Sequence, residues 1–137
     1  MTMPHDALAC AAAQFIGTPF RLHGRNPDIG LDCVGLIAAS LAAIGRPIDI
    51  PKTYALRNTD IELMLQCAAQ AGLRDEFGQV RAGSIIMVRP GPAQFHLLVA
   101  DDADGFIHAH AGLRRVVRMP GPLAWPMLRH WRITNEE

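Results

Sequence analysis

Residues 33–44, Cys33-Val34-Gly35-Leu36-Ile37-Ala38-Ala39-Ser40-Leu41-Ala42-Ala43-Ile44, hold a single hydroxyl or charged side chain, Ser40. A run this apolar, stopped by Gly45 and Pro47, reads as a helix buried among other elements. The rest of the chain must therefore wrap it. Ahead of it, Gly17-Thr18-Pro19 through Gly24-Arg25-Asn26-Pro27-Asp28-Ile29-Gly30 is too rich in Gly and Pro for regular structure. Cys33 thus stands where a loop meets a helix N-terminus. Unpaired N–H groups and the positive end of the helix dipole both favour thiolate over thiol there. That placement makes Cys33 a candidate nucleophile, for which the rest of the chain must supply a base.

At 137 residues, half of them hydrophobic, the chain suffices for one compact core, and residues 1–137 are read as a single domain. Thirteen basic side chains balance thirteen acidic ones, so nothing pulls the chain toward nucleic acid or an anionic membrane. Cys10, Cys33 and Cys67 are odd in number and widely spaced, which argues against a disulfide framework, and no C-x-x-C pair suggests zinc. Cys10 and Cys67 lie in apolar helical patterns and read as small buried hydrophobes. Residues 1–9 lack the basic start and apolar core of a signal peptide, and no run is long enough to span a bilayer. The expectation is synthesis in the cytoplasm, so a substrate outside it would need a carrier.

The first half of the chain reads as helix and loop. Residues 5–16 have high helix propensity and place Leu8, Ala12 and Phe15 on one face. Asn58 or Thr59 caps a third helix, with Ile61, Leu65 and Ala68 or Ala69 inside and Gly72 closing it. The period then changes. Strands are expected at 84–89, 95–100 and 106–110, with two more around Val116-Val117 and Leu128–Ile133. The cluster Asp101-Asp102-Ala103-Asp104-Gly105 reads as the turn of a hairpin. Helices first and an antiparallel sheet afterwards make an α+β domain.

A sulfur nucleophile needs an imidazole within hydrogen-bond reach and usually a third group to orient it. Six histidines are available, and the hairpin holds three of them. With Asp102 near its tip, Ala100 faces Asp104 and His96 faces His108; a register shifted by two brings His110 opposite instead. Either arrangement opposes two imidazoles, a pair suited to one base and one orienting partner. His5, His23 and His130 read as structural. A Cys with two His could also hold zinc, with Asp32 or His110 as the fourth ligand. The segment Arg114, Arg115, Arg118, Arg129, Arg132 reads as a solvated face, with a seat for substrate carboxylates or a partner as the functional alternative. Ser40 and Ser84 lack a G-x-S-x-G context, which argues against serine chemistry.

The order Pro19-Phe20, a Gly-containing loop, Gly30-Leu31-Asp32-Cys33-Val34-Gly35-Leu36, Gly83, His96, then Phe106-Ile107-His108-Ala109 resembles the NlpC-type cysteine peptidases. These are papain-like endopeptidases of cell-wall stem peptides. The likeness spans about residues 7–133 and is nearest the phage-tail or gene-transfer-agent branch. It implies N-terminal helices packed on a C-terminal antiparallel sheet, with Cys33 as nucleophile, His96 as base and His108 as orienting residue, favoured over His110 by the twelve-residue spacing. Asp32, Val34, Phe20 and His110 would support the site or the substrate. The implied substrate is a peptidoglycan stem peptide, with a D-glutamyl–diamino-acid link as the candidate bond and no cofactor or metal. Phage-tail or particle proteins would be the partners and a virion the carrier. Phe20 stands where the family usually has Tyr, and Val34 where it often has Ser; Tyr54 could replace the first only if its segment folded over the site. Two alternatives share the scaffold: an inactive structural tail or assembly protein, and a Cys/His acyltransferase.

Overall fold

The computed structural model describes residues 4–48, 61–92, 94–101 and 104–133, without the side chains of 4–6 and 61–64. Three helices precede the main sheet: α1 (Pro4–Gln14), α2 (Cys33–Ala43) and α3 (Ile61–Gln70). Between α1 and α2 a short antiparallel pair forms, β1 (Arg25–Asn26) on β2 (Gly30–Leu31). Six further strands follow: β3 (Leu73–Asp75), β4 (Ile85–Val88), β5 (His96–Ala100), β6 (Gly105–His110), β7 (Arg115–Pro120) and β8 (Met127–Ile133). They make one sheet in the order β3-β8-β4-β5-β6-β7, with every neighbour antiparallel. The fold is α+β, as the change of period implies.

The apolar run behaves as its composition demands. Cys33 to Ile37, Ser40 and Leu41 of α2 are all buried, between α1 on one side and β5 and β6 on the other. α1 contributes Leu8 and Ala12, both fully covered. Each fully buried leucine here, Leu8, Leu36 and Leu41 among them, contributes about 1.5–3 kcal/mol. The sheet is buried on both faces, which is why β4 and β5 read as continuous apolar runs rather than alternating ones. Ile85, Met87, Leu97, Val99, Ile107 and Ala109 pack toward the helices. Ile86, Val88, Leu98, Ala100 and Phe106 form a second core with Val80, Met119, Leu123 and Trp125.

Asp32 and Gly35 fix the start of α2. Asp32 caps the helix, its Oδ1 accepting from Gly35 N–H at 2.8 Å. Its Oδ2 accepts from His23 N–H, also at 2.8 Å, which ties the loop to the helix end. A Cβ on Gly35 would stand 1.9 Å from the Gly24 carbonyl oxygen, so only glycine lets the loop lie this close.

Several expectations change. The Gly/Pro-rich loop contains the β1–β2 pair, and β3 adds an unanticipated strand beside β8. Cys10 is exposed instead of buried, while Cys67 is half-buried. Arg132 is buried against Ser84 Oγ at 3.4 Å, whereas Arg114, Arg115 and Arg118 are exposed. Arg118 is paired with Asp101. The proposed caps Asn58 and Thr59, and the hairpin tip at Asp102, lie outside the described residues.

Candidate active site

Strands β5 and β6 pair at Val99–Ile107 and Ala100–Phe106, and the pairing does not continue toward His96. The register is therefore the one that would bring His110 opposite His96, not His108. The two strands do not form a ladder at that end, so the direct-opposition argument does not apply. His96 and His108 meet through their side chains instead, His96 Nε2 lying 2.8 Å from His108 Nδ1 with the rings nearly perpendicular at 79°. His110 stands beside this pair, its ring 5.5 Å from that of His108 and its Nδ1 accepting from Leu113 N–H at 3.0 Å.

Cys33 enters from α2. Backbone N–H groups of Leu97, Val34 and Cys33 itself are directed at its sulfur, so the thiol lies against the residue that follows His96. A cleft of about 250 Å³ is bordered by Cys33, His96, His108, His110, Phe20 and Trp125. One opening thus holds a thiol and three imidazoles. Among the described residues, no three of His, Cys, Asp and Glu are grouped so as to hold a metal ion.

The electrostatics differ from what a helix N-terminus alone implies. Burial pushes the Cys33 thiol up to about 12, with the Asp32 carboxylate adding to the rise and the N–H groups only partly opposing it. Burial also holds His96 down to about 3, with His108 and His110 adding to the fall. His108 is lowered to about 4, by burial first and His110 second. At neutral pH burial thus favours a neutral Cys33 thiol beside neutral His96 and His108 rings over a thiolate. The expectation of a thiolate counted the N–H groups and dipole but omitted desolvation, which is larger because Cys33 is 1% exposed.

A neutral pair still has a defined direction for the proton. If His96 Nε2–H donates to His108 Nδ1, His96 Nδ1 is left with a free lone pair, ready to accept a proton. His108 must then stay neutral to accept, as its lowered pKa ensures. Its own Nε2 is buried without a hydrogen-bond partner among the described residues.

The supporting residues separate. Phe20 borders the cleft, held by its N–H donating to the Arg114 carbonyl at 2.9 Å. Asp32 is fully buried and acts on the helix cap and loop. Val34 faces away into an apolar cavity with Ile37, Cys67, Ala68 and Trp131, so it does not meet a ligand in the cleft. One step along the helix from Cys33 turns the side chain to the core, while the Val34 N–H is directed at the Cys33 sulfur. Tyr54 lies outside the described residues. Sequence reasoning missed Trp125, since no local pattern marks a loop indole as close to a distant hairpin. His130, read as structural, is buried with its Nε2 2.7 Å from Ser84 Oγ, and Ser84 itself is fully buried.

No family model matches the sequence, and no curated protein does. Solved structures do. The NlpC/p60 domain of the peptidoglycan hydrolase SagA superposes with a TM-score of 0.62 at 22% identity, over 93% of this chain and 97% of that one. This chain has the NlpC/p60 fold. The P60 domain of an antigen from M. avium subspecies paratuberculosis gives a TM-score of 0.64 at 20% identity, covering 97% and 96% of the two chains. The peptidoglycan hydrolase RipB from Mycobacterium tuberculosis gives 0.61 at 19% identity, over 93% of this chain and 63% of RipB. In this NlpC/p60 fold the cleft opens where α2 meets the ends of β5 and β6 that do not pair with each other.

Proposed function

We propose that this chain is a cysteine endopeptidase that hydrolyses amide bonds in peptidoglycan stem peptides, the D-glutamyl–diamino-acid link being the candidate bond. The observation that carries the proposal is the His96–His108 hydrogen bond in a cleft that Cys33 also borders. Two neighbours in fold are peptidoglycan hydrolases, which supports the substrate class.

In the proposed cycle the Cys33 thiol passes its proton to His96 Nδ1 as sulfur attacks the amide carbonyl carbon. His108 accepts from His96 Nε2–H and steadies the imidazolium that forms. N–H groups at the start of α2 stabilise the oxyanion. His96 then protonates the leaving amine, giving a thioester on Cys33. Water, deprotonated by His96, releases the acid and restores the thiol. Phe20 supplies shape but no hydroxyl. Delivery on a phage tail or related particle is part of this reading, as is a single domain over residues 1–137. No helix among the described residues is long and apolar enough to cross a membrane.

The test is incubation of wild type and Cys33→Ala with defined muropeptides, with products identified by mass. Cleavage by the first and none by the second is the expected result; equal activity, or none in either, overturns the proposal. Transfer to an added amine with no hydrolysis would make it an acyltransferase instead. The neutral thiol and imidazoles favour a second reading, an inert structural protein on the same scaffold. Absence of any acyl-enzyme with an activated thioester or ester would establish it.

A further inference from the structure

Trp125 lies in the segment between β7 and β8, and its indole stands against both imidazoles of the site. Ring centroids are 6.0 Å from His96 at 90° and 5.9 Å from His108 at 79°. The His96–His108 hydrogen bond thus has an aromatic wall touching both of its partners. The same indole borders the cleft, yet it also packs on the second core with Ile86, Val88 and Leu98. A side chain anchored in a core and edged against two rings is held in place before any substrate arrives.

We propose that Trp125 is the positioning residue of this site, fixing the ring angle of His96 and excluding water from the hydrogen bond that His96 makes to His108. The proposal rests on the reading of His96 as the base. Water reaching that bond would compete for His96 Nε2–H and for His108 Nδ1, and would stabilise either ring as a cation. A shielded bond keeps one tautomer, with the lone pair of His96 on Nδ1. Other groups face the same rings: His110 from β6 acts on both, and Cys33 from the start of α2 borders the same cleft, with Asp32 acting on Cys33. None of them covers the hydrogen bond with an apolar ring.

The experiment is nitrogen-detected NMR of the histidine rings in wild type, Trp125→Phe, Trp125→Leu and Trp125→Ala, with peptide hydrolysis measured in parallel. In wild type the His96 and His108 rings should show a single tautomer and titrate far below the ordinary value. Trp125→Ala should raise both midpoints by a unit or more and speed exchange of the shared proton at least tenfold. It should lower kcat at least tenfold with KM within threefold, while Trp125→Phe stays within threefold of wild type throughout. Unchanged midpoints and proton exchange in a folded Trp125→Ala protein, or an effect on KM alone, overturn the proposal. If Trp125→Ala does not fold, Trp125→Leu carries the same comparison. Because the ring titrations need no substrate, they decide the role of Trp125 even if wild type cleaves no peptidoglycan.

Discussion

Replacing Asp32 should lower stability and ease ionisation of Cys33 in the same protein. The carboxylate accepts two hydrogen bonds from backbone N–H groups at 2.8 Å, Gly35 within the helix and His23 in the loop. Arg25 Nη1 adds a longer contact at 3.4 Å. Hydrogen bonds to charged groups contribute about 1.5–3 kcal/mol each, and a helix cap alone about 0.5–2. Asp32→Ala removes both bonds and leaves two N–H groups unsatisfied, which should cost about 3 kcal/mol. For a chain of 137 residues, unfolding entropy scales to a loss of about 10 °C in Tm. Asp32→Asn keeps one acceptor and should lose about half as much. The thiol should move the other way, because the Asp32 carboxylate is one of the two groups of causes that raise it, after burial. Thermal melts measure the first effect. The pH midpoint of Cys33 alkylation measures the second, with the plateau rate reporting access separately. An Asp32→Ala protein melting within 2 °C of wild type would refute the cap argument, and an Asp32→Asn midpoint no lower than wild type would refute the electrostatic one.

Other outcomes follow from the same geometry. Stability should be greatest between about pH 6.5 and 9: below it unfolded His96 and His108 bind protons that the folded rings refuse down to about 3 and 4, and above it the unfolded thiol ionises from about 9 while folded Cys33 holds its proton to about 12. Denaturant midpoints across pH check both limbs, and a flat profile from 4 to 7 would contradict the acid one. Gly35→Ala places a methyl 1.9 Å from the Gly24 carbonyl oxygen, so it should cost about 1–3 kcal/mol in urea unfolding and loosen the loop at the cleft. His108→Phe keeps an aromatic ring but removes the acceptor from His96, and should lower kcat more than it raises KM. Equal turnover with His108→Phe would show that the hydrogen bond has no part in the chemistry.

The fold was legible because its constraints are local. The apolar run of α2 could only be buried, and the change from helical to strand patterning marked the strands from Ile85 onward. The strand at Leu73–Asp75 escaped because three residues at a sheet edge, half-buried or exposed, carry no period to read. The site was legible in part. Cys33, His96 and His108 border one cleft, but the hairpin arithmetic behind them assumed a ladder that does not reach His96. The Trp125 contact could not be seen, since it depends on where the segment after β7 returns. For Val34, helix geometry turns the side chain into the core and leaves only its N–H near the sulfur.

The neutral resting site decides which assay can reveal a nucleophile. Burial pushes the thiol up to about 12 and His96 down to about 3, which favours leaving the proton on sulfur. Burial thus disfavours a standing ion pair, and in the proposed cycle proton transfer accompanies attack on the carbonyl, where the developing oxyanion would meet the N–H groups of α2. It follows that iodoacetamide, which captures thiolate, should react slowly with Cys33 at pH 7 even in an active enzyme. An activated acyl donor should still acylate Cys33, because its carbonyl draws on the oxyanion donors that iodoacetamide does not use. Rapid alkylation at pH 7 with a midpoint below 7, in a protein whose fold is intact, would refute the neutral thiol and restore the thiolate expected at a helix N-terminus.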